Sequence, residues 1–143
     1  MNDDRIFLDT FFVQALLNQR DRYHLQARAL LPRVRAASEV WITDAILVEI
    51  GNALSAVNRA GAVAFIRQCG STPNLHLVEI NALLMDRALA LYESRPDKTW
   101  GMTDCLSFVV MDDQGLLDAA TADGDFRQAG FRPLMGEELR TGD

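Results

Sequence analysis

Short apolar runs alternate with amphipathic helical stretches along the chain, and this alternation restricts the fold more than any other feature. Residues 5–9, Arg5-Ile6-Phe7-Leu8-Asp9, read as a first strand, followed by an apolar helix from Phe11 to Leu17. An Arg-rich amphipathic helix is expected from Asp21 to Ala37, with Leu25, Ala29, Leu30 and Val34 on its apolar side and a kink or break at Pro32. Glu39–Thr43 reads as a second strand, and Ala45–Leu54 as the helix after it. Residues 59–70 form another helix, ended by Gly70 and Pro73, and residues 75–80 a third strand. Asn81 caps a helix from Ala82 to Ser94, with Leu84, Ala88, Leu91 and Tyr92 on its apolar side, which a loop, residues 95–101, joins to an apolar helix N-capped by Thr103. After a turn at Asp112-Asp113-Gln114-Gly115 come a fourth strand ending at Asp123, a short helix from Asp125 to Ala129 and a last strand at Phe131–Leu134. Strands and helices in turn imply an α/β fold, a parallel sheet with helices on both faces. Such sheets bind ligands beyond the carboxyl ends of their strands.

The chain has 143 residues, enough for one domain over residues 1–143, with a polar tail from about residue 136. Charged or polar residues interrupt every apolar run well short of a membrane span, and the acidic start differs from a signal peptide. These features predict a cytoplasmic protein without a membrane partner. Cys69 and Cys105 have no zinc-type spacing and read as buried free thiols. A net charge of −6 argues against binding nucleic acid by bulk charge. It leaves a nuclease open, because cations bound at clustered acids reverse the local sign. No phosphate-cradling glycine loop, dinucleotide fingerprint or DxD pair is present. His24 and His76 are the only histidines, and neither sits beside a plausible nucleophilic serine in sequence.

Four acids stand in unusual places. Asp9 and Asp123 end strands, Asp104 opens an apolar helix, and Glu49 is the only charge within Ala45–Leu54. Each has a plain structural explanation, as a helix cap or as part of a polar stripe shared by Glu49 and Asn52. Their convergence on one crevice favours another one. Asp/Glu clusters suit Mg²⁺ or Mn²⁺, and such sites hydrolyse phosphodiesters.

The segments Leu8-Asp9-Thr10, Leu47-Val48-Glu49-Ile50-Gly51-Asn52-Ala53-Leu54, Thr103-Asp104-Cys105-Leu106-Ser107 and Thr121-Ala122-Asp123-Gly124-Asp125-Phe126 resemble the motifs of PIN-domain nucleases, especially the VapC-like toxins of bacterial toxin–antitoxin pairs. The likeness runs from Ile6 to about Leu134. It implies a Rossmann-like α/β/α sandwich with four to five parallel strands, a Mg²⁺- or Mn²⁺-dependent endoribonuclease site, an antitoxin partner and a homodimer. By motif, Asp9, Glu49, Asp104 and Asp123 are the catalytic, metal-binding acids. Thr10, Ser107 and Thr121 match supporting polar positions, Ser107 as a residue that orients Asp104. Phe11 stands where many members have Ser or Asn. Asp125 either shares the role of Asp123 or is a first-turn acid favoured by the helix dipole. Arg20, Arg22 and Arg127 are candidates for contacts to RNA phosphates. The competing readings are a non-catalytic interaction protein on the same fold, and a nuclease of this type acting on DNA or in RNA maturation.

Overall fold

A computed structural model describes residues 3–136. The expected polar tail, apart from Gly136, lies outside the described residues. In chain order the elements are β1 (Arg5–Leu8), α1 (Thr10–Leu17), α2 (His24–Ala36), β2 (Glu39–Thr43), α3 (Asp44–Leu54), α4 (Arg59–Cys69), β3 (Leu75–Val78), α5 (Ala82–Ser94), α6 (Met102–Gln114), β4 (Asp118–Ala120), α7 (Gly124–Gln128) and β5 (Arg132–Pro133).

All strand pairs are parallel, in the order β3-β2-β1-β4-β5. β1 is central because Ile6, Phe7 and Leu8 are all buried, so helices can cover both of its faces. From β1 the chain steps outward to β2 and β3, then returns to β4 on the other side of β1. Right-handed crossovers therefore place α1–α4 on one face and α5–α7 on the other. The packing agrees: α1 meets α2 and α3, α3 meets α4, α5 meets α6, and α6 meets α7. This is the expected α/β/α sandwich with a five-stranded sheet. The direction reverses between β1 and β4, where crossovers leave to opposite sides, the place at which open α/β sheets form their ligand crevice.

Several local readings need correction. α2 runs unbroken through Pro32. Pro32 and Arg28 are exposed, so water can serve the Arg28 carbonyl that loses its helical donor. The helix begins at His24, because the Asp21 carboxylate accepts from the Tyr23 amide at 2.8 Å and holds a turn there. Its buried face is Ala27 and Val34, while Leu25 is 75% exposed. α6 starts one residue before Thr103, with Gly101 at the cap position. Asp112, Asp113 and Gln114 belong to its last turn, and Gly115 stops it at φ 65°. The Leu116 amide then bonds back to the Met111 carbonyl at 2.9 Å. β3 ends at Val78 and β4 spans only Asp118–Ala120, both shorter than the apolar runs that carry them. Cys69 and Cys105 are buried and free. No described helix is long and apolar enough to cross a membrane.

Candidate active site

β1 and β4 deliver the first carboxylates. Asp9 follows the last residue of β1 and occupies the cap position of α1 with extended backbone, but its side chain makes no capping bond. Its carboxylate instead accepts from the Thr121 hydroxyl at 2.7 Å. Thr121 comes one residue after β4, is fully buried, and also accepts from the Asp123 amide at 3.0 Å. One hydroxyl therefore ties together the ends of the two strands that flank the crevice. Asp123 caps α7 by accepting from the Asp125 amide at 2.9 Å.

α6 and α3 supply the others. Asp104 lies in the first turn of α6 and accepts from the Gly101 amide at 3.2 Å. This bond explains why the helix begins before Thr103. Glu49 is half-buried on α3, where the Thr10 hydroxyl donates to its Oε1 at 2.6 Å. The contact was invisible in sequence because Thr10 and Glu49 are separated by 39 positions and meet only when α1 packs on α3.

The electrostatics are those of an under-compensated site. Burial pushes Asp9 up to about 7, with the charges of Asp123 and Glu49 adding and hydrogen bonds from Thr121 and the Thr10 backbone opposing. Asp104 is also pushed up to about 7, mainly by burial, with help from Asp123, Asp9 and Asp125 and opposed by its bond from Gly101. Burial likewise raises Asp123, and Asp125 adds to the effect. Among the described residues, no Arg or Lys forms an ion pair with Asp9, Glu49, Asp104, Asp123 or Asp125.

Asp104, Asp123 and Asp125 each present a carboxylate oxygen within 4.8 Å of the other two, a spacing at which all three can reach one hard divalent cation. Asp125 thus stands beside Asp123 in one cluster. Asp9 lies close enough to raise the proton affinity of Asp104, and Glu49 acts in the same way on Asp9. The carboxylate donor set and its unrelieved repulsion both fit Mg²⁺ or Mn²⁺.

The remaining expected residues are placed as follows. Ser107 is buried, and its hydroxyl donates to the Thr103 carbonyl at 3.0 Å, one turn back, rather than to Asp104. Phe11 packs edge-on against Tyr23 at 5.0 Å, which gives the ring an apolar role at that position. Arg22 lies over the Tyr23 ring and shares a hollow with Phe11 and Gln14, near the start of α1. Arg20 is exposed in the loop after α1, and Arg127 is exposed on α7, two residues past Asp125. His24 contacts the Ala15 carbonyl through Nδ1, and exposed His76 stacks on Trp41 at 4.4 Å, so neither joins the carboxylates.

A family model described as the PIN domain matches residues 6–132. Among solved structures, the chain is similar to the Mycobacterium tuberculosis toxin VapC20, described as cleaving the sarcin–ricin loop. The identity is 27% and the TM-score 0.82, over 90% of this chain and 98% of that one. It is also similar in fold to a chain of Rickettsia felis VapBC2 bound to a DNA fragment of its promoter. There the identity is 12% and the TM-score 0.63, over 93% of this chain and 98% of that one. No curated protein matched the chain.

Proposed function

The chain belongs to the PIN-domain family, and from that premise we propose that it is a metal-dependent endoribonuclease, the toxin of a toxin–antitoxin pair. The observation that carries this reading is the convergence of five carboxylates, with no described ion-pair partner, on the crevice between β1 and β4. The likeness to VapC20, described as a toxin that cleaves the sarcin–ricin loop, supports RNA as the substrate, and an antitoxin partner follows from the toxin reading. A homodimer, a cytoplasmic location and one domain over residues 1–143 complete the proposal. A single hydrophobic core among the described residues supports the last point.

In this reading Asp104, Asp123 and Asp125 hold a Mg²⁺ or Mn²⁺ ion together with Asp9, and Glu49 completes the acidic wall. When bound, such an ion supplies an activated water and offsets charge on the phosphate. Thr121 fixes the Asp9 carboxylate and the turn that carries Asp123. Thr10 fixes Glu49. The Gly101 amide holds one oxygen of Asp104 and leaves the other available. Arg22 beside the start of α1 and Arg127 on α7 are candidates for RNA phosphates, and Arg20, past the far end of α1 in a hollow with Leu17 and Asn58, is the weaker one.

The test is cleavage of a panel of structured RNAs, including a sarcin–ricin stem-loop, in Mg²⁺, Mn²⁺ and EDTA. Cleavage that needs metal supports the reading. Folded protein that cuts no RNA, and whose melting temperature metal does not raise, favours the non-catalytic interaction protein. Cleavage of DNA alone favours the DNA nuclease. Co-expression with the product of a small adjacent gene tests the partner: suppression of cleavage and co-purification identify the antitoxin.

A further inference from the structure

The loop that leads into Asp104 borders a second cleft. α5 and α6 pack side by side, and Arg87 of α5 pairs with Asp113 near the far end of α6 at 2.6 Å. The two helices therefore run antiparallel, which brings the end of α5 and the loop 95–101 to the end of α6 that carries Asp104. The Gly101 amide bonded to Asp104 makes this junction direct.

A cleft of about 600 Å³ lies there, lined by Leu89, Tyr92, Glu93, Arg95, Lys98 and Trp100 among others. Its size is within the roughly 300–1,000 Å³ usual for small-ligand pockets. Tyr92 is 48% exposed, although its spacing on α5 suggested a core position. The Arg95 guanidinium lies over the Trp100 ring at 5.1 Å and is bound by both oxygens of Asp97 at 3.0 and 2.9 Å. Trp100 is itself fixed, edge-on to Phe108 at 5.1 Å. Asp97 thus holds the guanidinium over Trp100, while the side chain stays 39% exposed. A planar group beside an exposed tyrosine is a stacking surface for a planar ligand. Lys98 is the chain's only lysine, and its ammonium has no described ion pair. Glu93 also lines the cleft.

We infer that this cleft is a nucleotide subsite: an unpaired base of the RNA, flanking the bond cut at the carboxylates, stacks between Tyr92 and the Arg95–Trp100 plate, with Lys98 on the adjacent phosphate. The inference rests on the ribonuclease reading above, and it makes these residues positioning residues that choose where the strand is cut. A single-stranded nucleotide fits better than a duplex, because base faces are reachable only where the strand is unstacked.

The experiment measures KM and kcat of the full chain, in Mn²⁺, on an RNA that the wild type cuts, for Tyr92→Ala, Tyr92→Phe and Lys98→Ala. Tyr92→Ala is expected to raise KM about 5- to 100-fold, and Tyr92→Phe to restore it. Lys98→Ala is expected to raise KM and to flatten the salt dependence of log KM by about 0.7. Stabilisation by Mn²⁺ stays unchanged in all three. Wild-type cleavage with no change in KM, cut position or salt slope among the variants overturns the subsite and leaves the nuclease standing. A changed oligomeric state in Tyr92→Ala with unchanged KM assigns the patch to a protein interface and also overturns it. A wild type that cuts no RNA overturns both readings together.

Discussion

β1 and β4 carry acids at both ends, and the two ends treat them in opposite ways. At the amino ends, Asp4 precedes β1 and Asp118 opens β4. Arg33 reaches Asp4 at 2.8 Å and Asp118 at 3.3 Å, and Arg132 meets Asp118 at 2.6 Å. The Arg33 guanidinium holds Asp4 below the usual carboxylate range. At the carboxyl ends, Asp9 after β1 and its neighbour Asp104 on α6 are pushed up to about 7 and have no described cation. The same sheet thus contains acids completed by the chain and acids left for something else to complete. Proximity of carboxylates is therefore a poor sign of function by itself, and the missing counter-charge is the better one.

The contrast is most severely tested by Asp104→Asn. It should lower RNA cleavage at least about 100-fold while the far-ultraviolet circular dichroism stays unchanged. An active variant would place the chemistry elsewhere. Thr121→Val should weaken Mn²⁺ binding at pH 7 about tenfold, because Asp9 loses the donor that favours its ionised form. That deficit, read by calorimetry, should shrink at pH 8.5, where Asp9 ionises without help. Asp118→Ala should do the reverse, lowering the melting temperature by about 3–6 °C and leaving Mn²⁺ affinity alone. Equal effects on metal binding from both ends would abolish the distinction.

Acidity should separate the ends as well. Unfolded Asp titrates near 3.8, and folded Asp9 and Asp104 near 7. Between these values the folded chain holds more protons than the unfolded one, so stability falls as pH rises through that window. Without metal, the melting temperature should be on the order of 10 °C higher at pH 5 than at pH 8. Mn²⁺ should erase the difference by stabilising most at pH 8. A metal-free protein with its highest melting temperature at pH 8 would show that Asp9 and Asp104 are not raised, because paired acids such as Asp4 change stability only below about pH 5.

The sandwich was legible because its central strand is buried on both sides and therefore a continuous apolar run, Ile6-Phe7-Leu8, and because strands and helices alternate after it. The order of Asp9, Glu49, Asp104 and Asp123 was legible because each sits where an apolar element begins, ends or is interrupted. Boundaries failed where a side chain decided them. Asp104 bonding to Gly101 moved the start of α6, and Asp21 bonding to Tyr23 delayed α2. The ion network at the amino ends went unseen because Arg33 lies 29 positions from Asp4 and 85 from Asp118. Nothing local marks Arg33 apart from its neighbours on α2. Tyr92 was misplaced for another reason: helical spacing aligned it with Leu84, Ala88 and Leu91, but only Leu84 and Ala88 are fully buried.

β4 has three residues, Asp118 to Ala120. Its first residue answers to two arginines and the residue just after its last answers to Asp9. The strand is therefore a gauge block whose length is fixed at both faces. Because side chains alternate along a strand, removing or adding one residue would turn either Asp118 or Thr121 to the wrong side of the sheet. In a library of single-residue insertions and deletions, β4 should therefore be far less tolerant than the loop 95–101. Changing the identity of Ala119 or Ala120 alters packing, whereas changing the count disconnects the part of the molecule that holds it together from the part that acts.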